Sequence, residues 1–402
     1  MDLQEVKALL TAESLALLAE IADPTSKDDV VRVVSRLRKA GHPPERVHAV
    51  MNQVALRKGA RAKFGPFADR LLLTPEGLEQ ATRLEVASHH AGRFAKAGIA
   101  SVADCGCGIG GDALAFAGLG IRVVAIDTDA VTAALATYNL APFDSVTVER
   151  GDVTERTYDD VEGLWIDPAR REGKSRLSKP EDWQPSLDWT FARALQLPTG
   201  IKLGPGMDRD LIPEGYEAQW VSHNGTVVEL VLWSGVLART GITRSALVMN
   251  SRGSEEISAA ADSPDQAVGE LAEFIYEPDG AVIRARLIGD LARRLDATMM
   301  DRTIAYFTSA TKHTSPLVQG FTIRETAPYT LKNLQRLVSA AQLGRVEIKK
   351  RGIDVDPAEL RNSLKLEGTE EATLILTRVK GEKTAILADR LDSVGQDIAA
   401  AD

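Results

Sequence analysis

The residues best suited to chemistry in this sequence lie in one glycine-rich segment, residues 104–112, which follows an apolar run. Gly106, Gly108 and Gly111 fit the spacing G-x-G-x-x-G, in which small residues let the backbone turn sharply and approach a ligand at the start of a helix. This spacing alone is a weak signal, because many nucleotide-binding loops share it. Asp104 adds information, since a carboxylate two residues before the first glycine suits a positively charged ligand. The segment therefore predicts a binding site for a ligand that resembles a nucleotide and carries a positive charge.

Further acids stand where later strands are expected to end. Asp127 follows a short apolar run and is placed to accept hydrogen bonds from ribose hydroxyls. Asp152 and Val153 follow a third segment and suit the exocyclic amine of an adenine, and Asp167 with Pro168 ends a fourth. Parallel strands end at one edge of a sheet, where ligands bind. S-adenosylmethionine carries an adenosine, a sulfonium and an ammonium group, so these positions together predict a site for it.

Methyl transfer from a sulfonium requires little of a protein beyond alignment and removal of a proton. Asp167 is the candidate for positioning the accepting atom or taking up its proton, and Pro168 would shape the adjacent slot. Arg170 is expected to contact a phosphate or a base edge. Methylation of carbon 5 of a pyrimidine is disfavoured, because it needs a cysteine nucleophile and both cysteines, Cys105 and Cys107, lie in the glycine-rich segment.

Residues from about 98 to 235 resemble a class I S-adenosylmethionine-dependent methyltransferase, with Asp104-x-Gly-x-Gly as motif I and Asp167-Pro-Ala-Arg as motif IV. The resemblance implies that Asp127 binds the ribose and that Asp152 lies on the adenine side. Four further segments resemble the bacterial group that adds a carboxy-terminal THUMP-like domain: residues 63–67, 79–83, 200–206 and 220–229. The resemblance therefore implies a Rossmann-like catalytic domain followed by a THUMP-like domain.

THUMP modules are associated with RNA methylation and modification, so the resemblance implies that a base nitrogen of structured RNA, tRNA or rRNA, is methylated. One departure leaves the target atom open. Enzymes that methylate exocyclic amines usually carry Asn or Asp, two prolines and an aromatic residue, where this chain has Asp167, Pro168, Ala169 and Arg170.

Three clusters of basic residues are candidates for RNA contact, because phosphates favour clustered Arg and Lys. They are Lys58, Arg61 and Lys63; Arg170, Arg171, Lys174, Arg176 and Lys179; and Arg345, Lys349, Lys350 and Arg351. The second cluster is the strongest candidate, because it follows motif IV, where the substrate meets the methyl group. Each cluster could instead be a solvated surface.

Composition limits these expectations. The 402 residues suffice for two or three domains, and the net charge of -9 excludes a protein covered in positive charge, so RNA contact requires a local patch. Two cysteines give no disulfide framework, and no run of residues resembles a membrane span or a signal peptide, which favours the cytoplasm. The six histidines lack metal-ligand spacing, so no metal is expected and each histidine is expected at the surface or at a helix cap.

Two other functional classes stay open. An NAD-dependent oxidoreductase could use the three glycines and Asp127, although it has no need of Asp104, Asp152 or motif IV. A protein that binds S-adenosylmethionine and RNA without turnover would keep the same loop, and the atypical motif IV leaves room for it. Thermal shifts with each cofactor would separate the first pair, and transfer of a labelled methyl group to RNA would separate enzyme from binder.

Three regions are expected to position these residues. Residues 1–97 follow a helical period, with one helix closed by Pro24 and others over 27–40 and 44–56. Residues 98–252 alternate apolar runs with helical stretches, which predicts a doubly wound parallel sheet. Residues 253–402 are expected to form an α+β THUMP-like domain. Its predicted elements are strands at 281–285, 346–350 and 372–378, helices near 286–296 and 330–342, and a linker at 251–264.

Overall fold

The computed structural model of the chain describes residues 1, 3–22, 24–169, 171–172, 175–176 and 182–391, with only the backbone of 171–172 and 175–176. The chain divides into two compact units, residues 1–203 with 232–238 and residues 204–231 with 239–402. None of the helices in the described ranges is long and apolar enough to cross a membrane. The three-domain division expected from the sequence, with boundaries after 97 and 252, stays a prediction.

The first unit begins with six helices: α1 (Leu3–Leu9), α2 (Ala12–Glu20), α3 (Lys27–Lys39), α4 (Pro44–Phe64), α5 (Pro75–Gln80) and α6 (Leu84–Lys96). The prediction of one helix up to Pro24 was wrong, because the chain starts a second helix after Thr11. The Thr11 hydroxyl oxygen accepts a hydrogen bond from the Ser14 N–H at 3.2 Å and so caps α2.

Helices α3 and α4 lie where the period predicted them. A reciprocal capping box formed by Ser26 and Asp29 starts α3. Pro44 occupies the first turn of α4, where a missing N–H costs nothing. The predicted end at residue 56 was too early, since α4 continues to Phe64 and is capped by Gly65, whose φ of 54° suits glycine.

Strands and helices then alternate: β1 (Ser101–Cys105), α7 (Gly111–Gly118), β2 (Arg122–Asp127), α8 (Ala130–Leu140), β3 (Val146–Arg150), β4 (Gly163–Ile166), β5 (Arg171–Glu172), β6 (Ser175–Arg176), α9 (Leu187–Ala194) and β7 (Thr199–Leu203). The strand order β3-β2-β1-β4-β7 is parallel throughout. Because the order reverses between β1 and β4 and crossovers are right-handed, the connecting helices cover both faces. This confirms the predicted doubly wound sheet.

The reversal places the glycine-rich segment at a crevice. Asp104, the second-last residue of β1, lies opposite Ala125 of β2 and Trp165 of β4, near the carboxyl ends of all three strands. The buried Asn139 of α8 anchors the glycine-rich segment, because its Nδ2 donates a hydrogen bond to the Ile109 carbonyl at 2.9 Å. The fold therefore holds the loop rigidly at the switch point of the sheet, where ligands bind.

The second unit contains strands that belong to two sheets. Its elements are β8 (Glu217–His223), β9 (Thr226–Trp233, which the division crosses), β10 (Arg244–Asn250), β11 (Gly253–Ala259), β12 (Phe274–Pro278), α10 (Gly280–Arg284), α11 (Ile288–Arg294), β13 (Thr298–Asp301), β14 (Ile304–Ser309), β15 (Val318–Pro328), α12 (Leu331–Ala340), β16 (Leu343–Lys350), α13 (Pro357–Ser363), β17 (Glu370–Val379) and β18 (Glu382–Arg390). Strand β10 pairs in parallel with β8 and antiparallel with β11. The other sheet has the order β13-β14-β12-β15-β18-β17-β16, in which β16 and β17 are parallel.

Two predictions for this unit were wrong. Residues 281–285 lie in helix α10 and its cap, because the Asp279 carboxylate accepts the Ala281 N–H at 2.8 Å and starts a helix despite the β-branched residues. Residues 251–264 are not a linker, since β11 continues a hairpin from β10 there. The predicted strands at 346–350 and 372–378 are confirmed within β16 and β17.

Gly106 should be the least replaceable glycine of the loop. Its φ is 87°, and a Cβ there would lie 2.8 Å from the Asp167 carbonyl oxygen. We expect Gly106→Ala to lower the free energy of unfolding by more than the roughly 1–2 kcal/mol that a left-handed alanine costs, because the methyl group must also push the Asp167 peptide away.

The matched control is Gly120→Ala, since Gly120 has a φ of 80° and open space around the new methyl group. Denaturant unfolding of both variants measures the difference. Equal losses of stability would show that Asp167 is not held against the loop.

Candidate active site

The glycine-rich turn after β1 brings the ends of β1 and β2 together. The N–H groups of Gly106 and Cys107 both donate to the Ile126 carbonyl, at 2.9 and 3.0 Å. Gly106, Gly108 and Gly110 have positive φ, whereas Gly111 does not and instead starts α7. The spacing G-x-G-x-x-G thus missed the positive φ of Gly110, although two consecutive glycines, Gly110 and Gly111, were visible in the sequence.

Asp127 at the end of β2 is bound to this turn. Its Oδ2 accepts the Gly108 N–H at 3.0 Å, and its Oδ1 accepts the Asp129 N–H at 2.9 Å. Burial raises the pKa of Asp127 despite these two donors. Each carboxylate oxygen can accept a second hydrogen bond, so the arrangement is compatible with the expected contact to ribose hydroxyls.

Asp104 is a buried carboxylate with incomplete hydrogen bonding. Its side chain is 1% exposed, and its Oδ2 has no hydrogen-bond partner among the described residues. Burial, followed by the negative charges of Asp112 and Asp167, raises its pKa well above the usual range. An isolated buried charge is expensive unless a counter-charge meets it. The environment of this carboxylate is therefore compatible with a cationic group, such as the ammonium of S-adenosylmethionine.

Asp152 and Val153 lie beyond β3, in a turn next to the same edge. The Asp152 carboxylate is exposed and accepts hydrogen bonds from the N–H and the hydroxyl of Thr154, at 2.8 and 2.7 Å, which lowers its pKa. Val153 is a buried core residue whose carbonyl accepts the Tyr158 hydroxyl at 2.7 Å. The adenine-side role of this pair stays a prediction.

Asp167 lies directly after β4, on the other side of the switch point. Its N–H donates to the Cys105 carbonyl at 3.1 Å, and its Oδ2 accepts the Lys202 ammonium at 2.7 Å. Pro168 is buried beside it. The predicted motif IV pair therefore faces β1 across the crevice. Arg170, Lys174 and Lys179 lie outside the described residues, and the side chains of Arg171 and Arg176 are likewise not described.

A buried polar network extends from Asp167 into the core. The Lys202 ammonium of β7 also donates to the Thr82 hydroxyl at 2.8 Å, and that hydroxyl donates to Asp112 at 2.6 Å. The second oxygen of Asp112 contacts His90 Nδ1 at 2.9 Å. Although burial alone would raise the pKa of Asp112, the His90 hydrogen bond and the Lys202 charge lower it to about 2.

Sequence reasoning missed this network. The prediction that every histidine lies at the surface or at a cap was wrong for His90, which is 1% exposed and stacked on Trp165 with ring centroids 4.3 Å apart. Lys202 lies in residues 200–206, one of the segments that carried the family resemblance. The only sign in the sequence that it has a buried polar role is that a lysine interrupts an apolar strand. Buried lysines need an acidic partner, and the sequence alone did not say which acid supplies it.

The two cysteines of the loop are free and buried, and burial raises the pKa of each thiol.

The side chains of the cluster Lys58, Arg61 and Lys63 mostly make structural contacts within the protein. Lys63 donates to the carbonyls of Leu78, Glu79 and Ala81, and Arg61 pairs with Asp69. Its predicted contact with RNA therefore has less support than its sequence suggested.

The third predicted cluster lies in the second unit and is not one continuous surface. Lys349 pairs with Glu277 at 2.6 Å, whereas Lys350 is exposed. The Arg351 guanidinium lies over the Tyr306 ring at 5.6 Å. Neighbouring side chains of a strand point to opposite faces, which separates Lys349 from Lys350.

Comparison with known proteins identifies the class. Residues 318–390 match the THUMP domain-like family model, and residues 2–60 match a domain of unknown function. An uncharacterized S-adenosylmethionine-dependent methyltransferase of Mycobacterium tuberculosis, found in strains H37Rv and CDC 1551, is 33% identical over 345 residues, which cover 83% of this chain and 94% of the relative. A Porphyromonas gingivalis W83 crystal structure described as a candidate methyltransferase has a TM-score of 0.77 at 22% identity, covering 94% of this chain and 98% of that chain.

The chain belongs to the S-adenosylmethionine-dependent methyltransferases, and S-adenosylmethionine is its cofactor. This confirms the expected class and its carboxy-terminal THUMP-like domain, and it removes the support for an NAD-dependent oxidoreductase. Asp104, with an orphaned buried oxygen at the crevice, is the residue whose environment fits the cationic cofactor most directly.

Replacing Asp104 with Asn tests this fit. Because the folded-state pKa is raised, the folded protein holds this proton more tightly than the unfolded chain, so stability falls as pH rises from about 4 toward the folded pKa. Asp104→Asn should remove that fall and raise the melting temperature without cofactor at pH 8. It should also weaken S-adenosylmethionine binding by about 10-fold or more, since a charge-assisted contact is lost.

Calorimetric titration and thermal unfolding with and without cofactor measure both effects. Asp144→Asn, at an exposed site of the same unit, is the control and should change neither quantity. Unchanged cofactor affinity in Asp104→Asn would remove Asp104 from the binding site.

Proposed function

We propose that this methyltransferase acts on RNA and methylates a base nitrogen of a structured RNA such as tRNA or rRNA. The observation that carries the proposal is the match of residues 318–390 to the THUMP domain-like family, because THUMP modules are associated with RNA methylation and modification. The net charge of -9 requires the RNA to be held by a local set of cations.

The residues around the glycine turn are assigned to the cofactor. Asp104 binds the ammonium group, and Gly106, Gly108 and Gly111 keep the backbone close to the ligand. Asp127 accepts the ribose hydroxyls. Asp152 and Val153 contact the adenine edge. Bound S-adenosylmethionine supplies an electrophilic methyl group, so the remaining residues need only orient the accepting nitrogen and manage its proton.

Asp167 is assigned to the accepting nitrogen. Its carboxylate accepts a hydrogen bond from the N–H of the base and takes up that proton as the nitrogen bonds the methyl group and the methyl–sulfur bond breaks, leaving its electron pair on sulfur. Lys202, at 2.7 Å, keeps this carboxylate ionised and fixed before the base arrives. Pro168 stiffens the peptide that follows.

The RNA itself is assigned to basic residues. Arg170 contacts a phosphate or the base edge. The other proposed cationic contacts are Arg171, Lys174, Arg176, Lys349, Lys350 and Arg351.

Transfer of a labelled methyl group tests the substrate class. With labelled S-adenosylmethionine and total cellular RNA, protein or small-molecule extract, we expect label in RNA alone. Mass spectrometry of nucleosides from a deletion strain should show one methylated nucleoside missing. Asp167→Asn should slow transfer by about 100-fold or more, while Asp144→Asn should match the wild type.

Label in protein or small molecules would contradict the RNA proposal. Binding of both S-adenosylmethionine and RNA without transfer of label would favour the alternative of a binding protein without turnover. Equal transfer by Asp167→Asn and the wild type would remove Asp167 from the reaction.

Lys202 is expected to act through Asp167. Lys202→Met should lower kcat by about 10-fold or more and should move the acidic limb of the pH–rate profile to higher pH, because no ammonium then stabilises the Asp167 carboxylate. Lys202→Arg should retain part of the rate. Lys96→Met, at an exposed lysine of α6, is the control. A loss of thermal stability with an unchanged pH profile would mean that Lys202 is only structural.

A further inference from the structure

A cleft of about 480 Å³ lies within the second unit, between two hairpin turns and the sheet. The turns are those at Asn224–Gly225, between β8 and β9, and at Ser251–Arg252, between β10 and β11. Three cationic side chains distant in sequence line this cleft: Arg252, Lys349 and Arg390. The fold therefore concentrates positively charged side chains in one cleft of a chain whose net charge is negative.

Two of these cations already have acidic partners. Lys349 pairs with Glu277 at 2.6 Å, and Arg390 pairs with Glu347 at 2.7 Å. Arg252 differs, because the hydrogen bond that its side chain makes within the described residues goes to a neutral group, the Val318 carbonyl, at 2.7 Å. A guanidinium has five N–H donors, so Arg252 retains most of its capacity to bind an anion.

The surroundings of Arg252 favour such an anion. Burial, and then repulsion by the positive charge of Arg390, lowers the pKa of Arg252, whereas the charge of Glu255 opposes this shift. Opposite charge placed between two such cations relieves this repulsion. Arginine is also the residue whose planar fork matches the oxygens of a phosphate.

The carboxylates that line the cleft are already occupied by donors of the protein. Glu277 receives the Lys349 ammonium and the Tyr306 hydroxyl, the latter at 3.3 Å. Asp279 receives the Ser222 hydroxyl at 3.0 Å and caps α10. These bonds hold both acids to their own partners, so Arg252 is left as the charged group with capacity for a ligand.

We propose that this cleft binds a backbone phosphate of the RNA substrate, with Arg252 as the main contact and Arg390 and Lys349 supplying the surrounding positive charge. This inference rests on the proposed function. The Phe321 ring between Lys349 and Arg390 is 1% exposed, so it offers no face for stacking a base. The cleft therefore recognises the RNA backbone rather than its sequence.

The test uses the full chain and bulk transfer RNA carrying a fluorescent label at one end. Arg252→Met keeps an unbranched stem but removes the guanidinium. It should weaken RNA binding by about 10-fold and reduce the slope of log affinity against log salt by about 0.7–0.9, the value for one phosphate contact. Arg252→Lys should lose less, because it keeps the charge. Arg336→Met is the matched control, since Arg336 lies exposed in α12 and pairs with Glu325.

S-adenosylmethionine binding and the melting temperature are measured on each variant. Unchanged cofactor binding with weakened RNA binding supports the cleft. RNA affinity equal to that of Arg336→Met would overturn the cleft and leave the proposed function intact, whereas no RNA binding by the wild type would overturn both. Stabilisation by inorganic phosphate that needs Arg252, without any effect of the variant on RNA affinity, would identify a small-anion site and overturn the inference.

Discussion

The switch point of the parallel sheet in the first unit brings together more carboxylates than ammonium groups. Asp104, Asp112 and Asp167 interact at the switch point of the parallel sheet, and Lys202 is the ammonium shared among them. A protein interior disfavours an uncompensated charge, so this arrangement favours the approach of a further cation. The cofactor of the family is a cation, so the arrangement is compatible with it in charge.

The aspartates of this cluster differ in hydrogen bonding and in pKa. Asp112 accepts hydrogen bonds from His90 and Thr82 and has a lowered pKa, whereas Asp104 has an oxygen without a donor and a raised one. Divergent pKa values among neighbouring carboxylates mark a division of function. Asp112 is linked to Lys202 through the Thr82 hydroxyl, whereas one oxygen of Asp104 has no donor among the described residues. If Asp104 binds the cofactor as proposed, binding offsets the stability that its burial costs.

Local signals were sufficient for one part of this site. The glycine spacing, Asp104, Asp127 and Asp167 are all visible where strands end, because a short apolar run before a polar residue is a local pattern. The partner of Asp167 was not visible, since Lys202 lies 35 residues further along the chain and its other partner, Thr82, lies 120 residues before it. Only the strand order, with β7 next to β4, brings them together. Likewise, residues 281–285 have strand-like composition, but the Asp279 cap decides for a helix.

The second unit shows why counting cations in a sequence misjudges RNA contact. Several of its basic side chains pair within the unit with acids on neighbouring elements: Arg239 with Glu217 and Glu256, Arg324 with Asp389, Arg336 with Glu325, Arg345 with Glu371, Arg390 with Glu347 and Lys349 with Glu277. An arginine already paired with a carboxylate gains little from a phosphate, because the exchange replaces one anion by another. Under the proposed function, the cations expected to contact RNA are those without an acidic partner, and these depend on the fold rather than on clustering in the sequence. For a chain of net charge -9, the proposal then implies few phosphate contacts and an affinity that depends on salt much less than that of a basic RNA-binding protein.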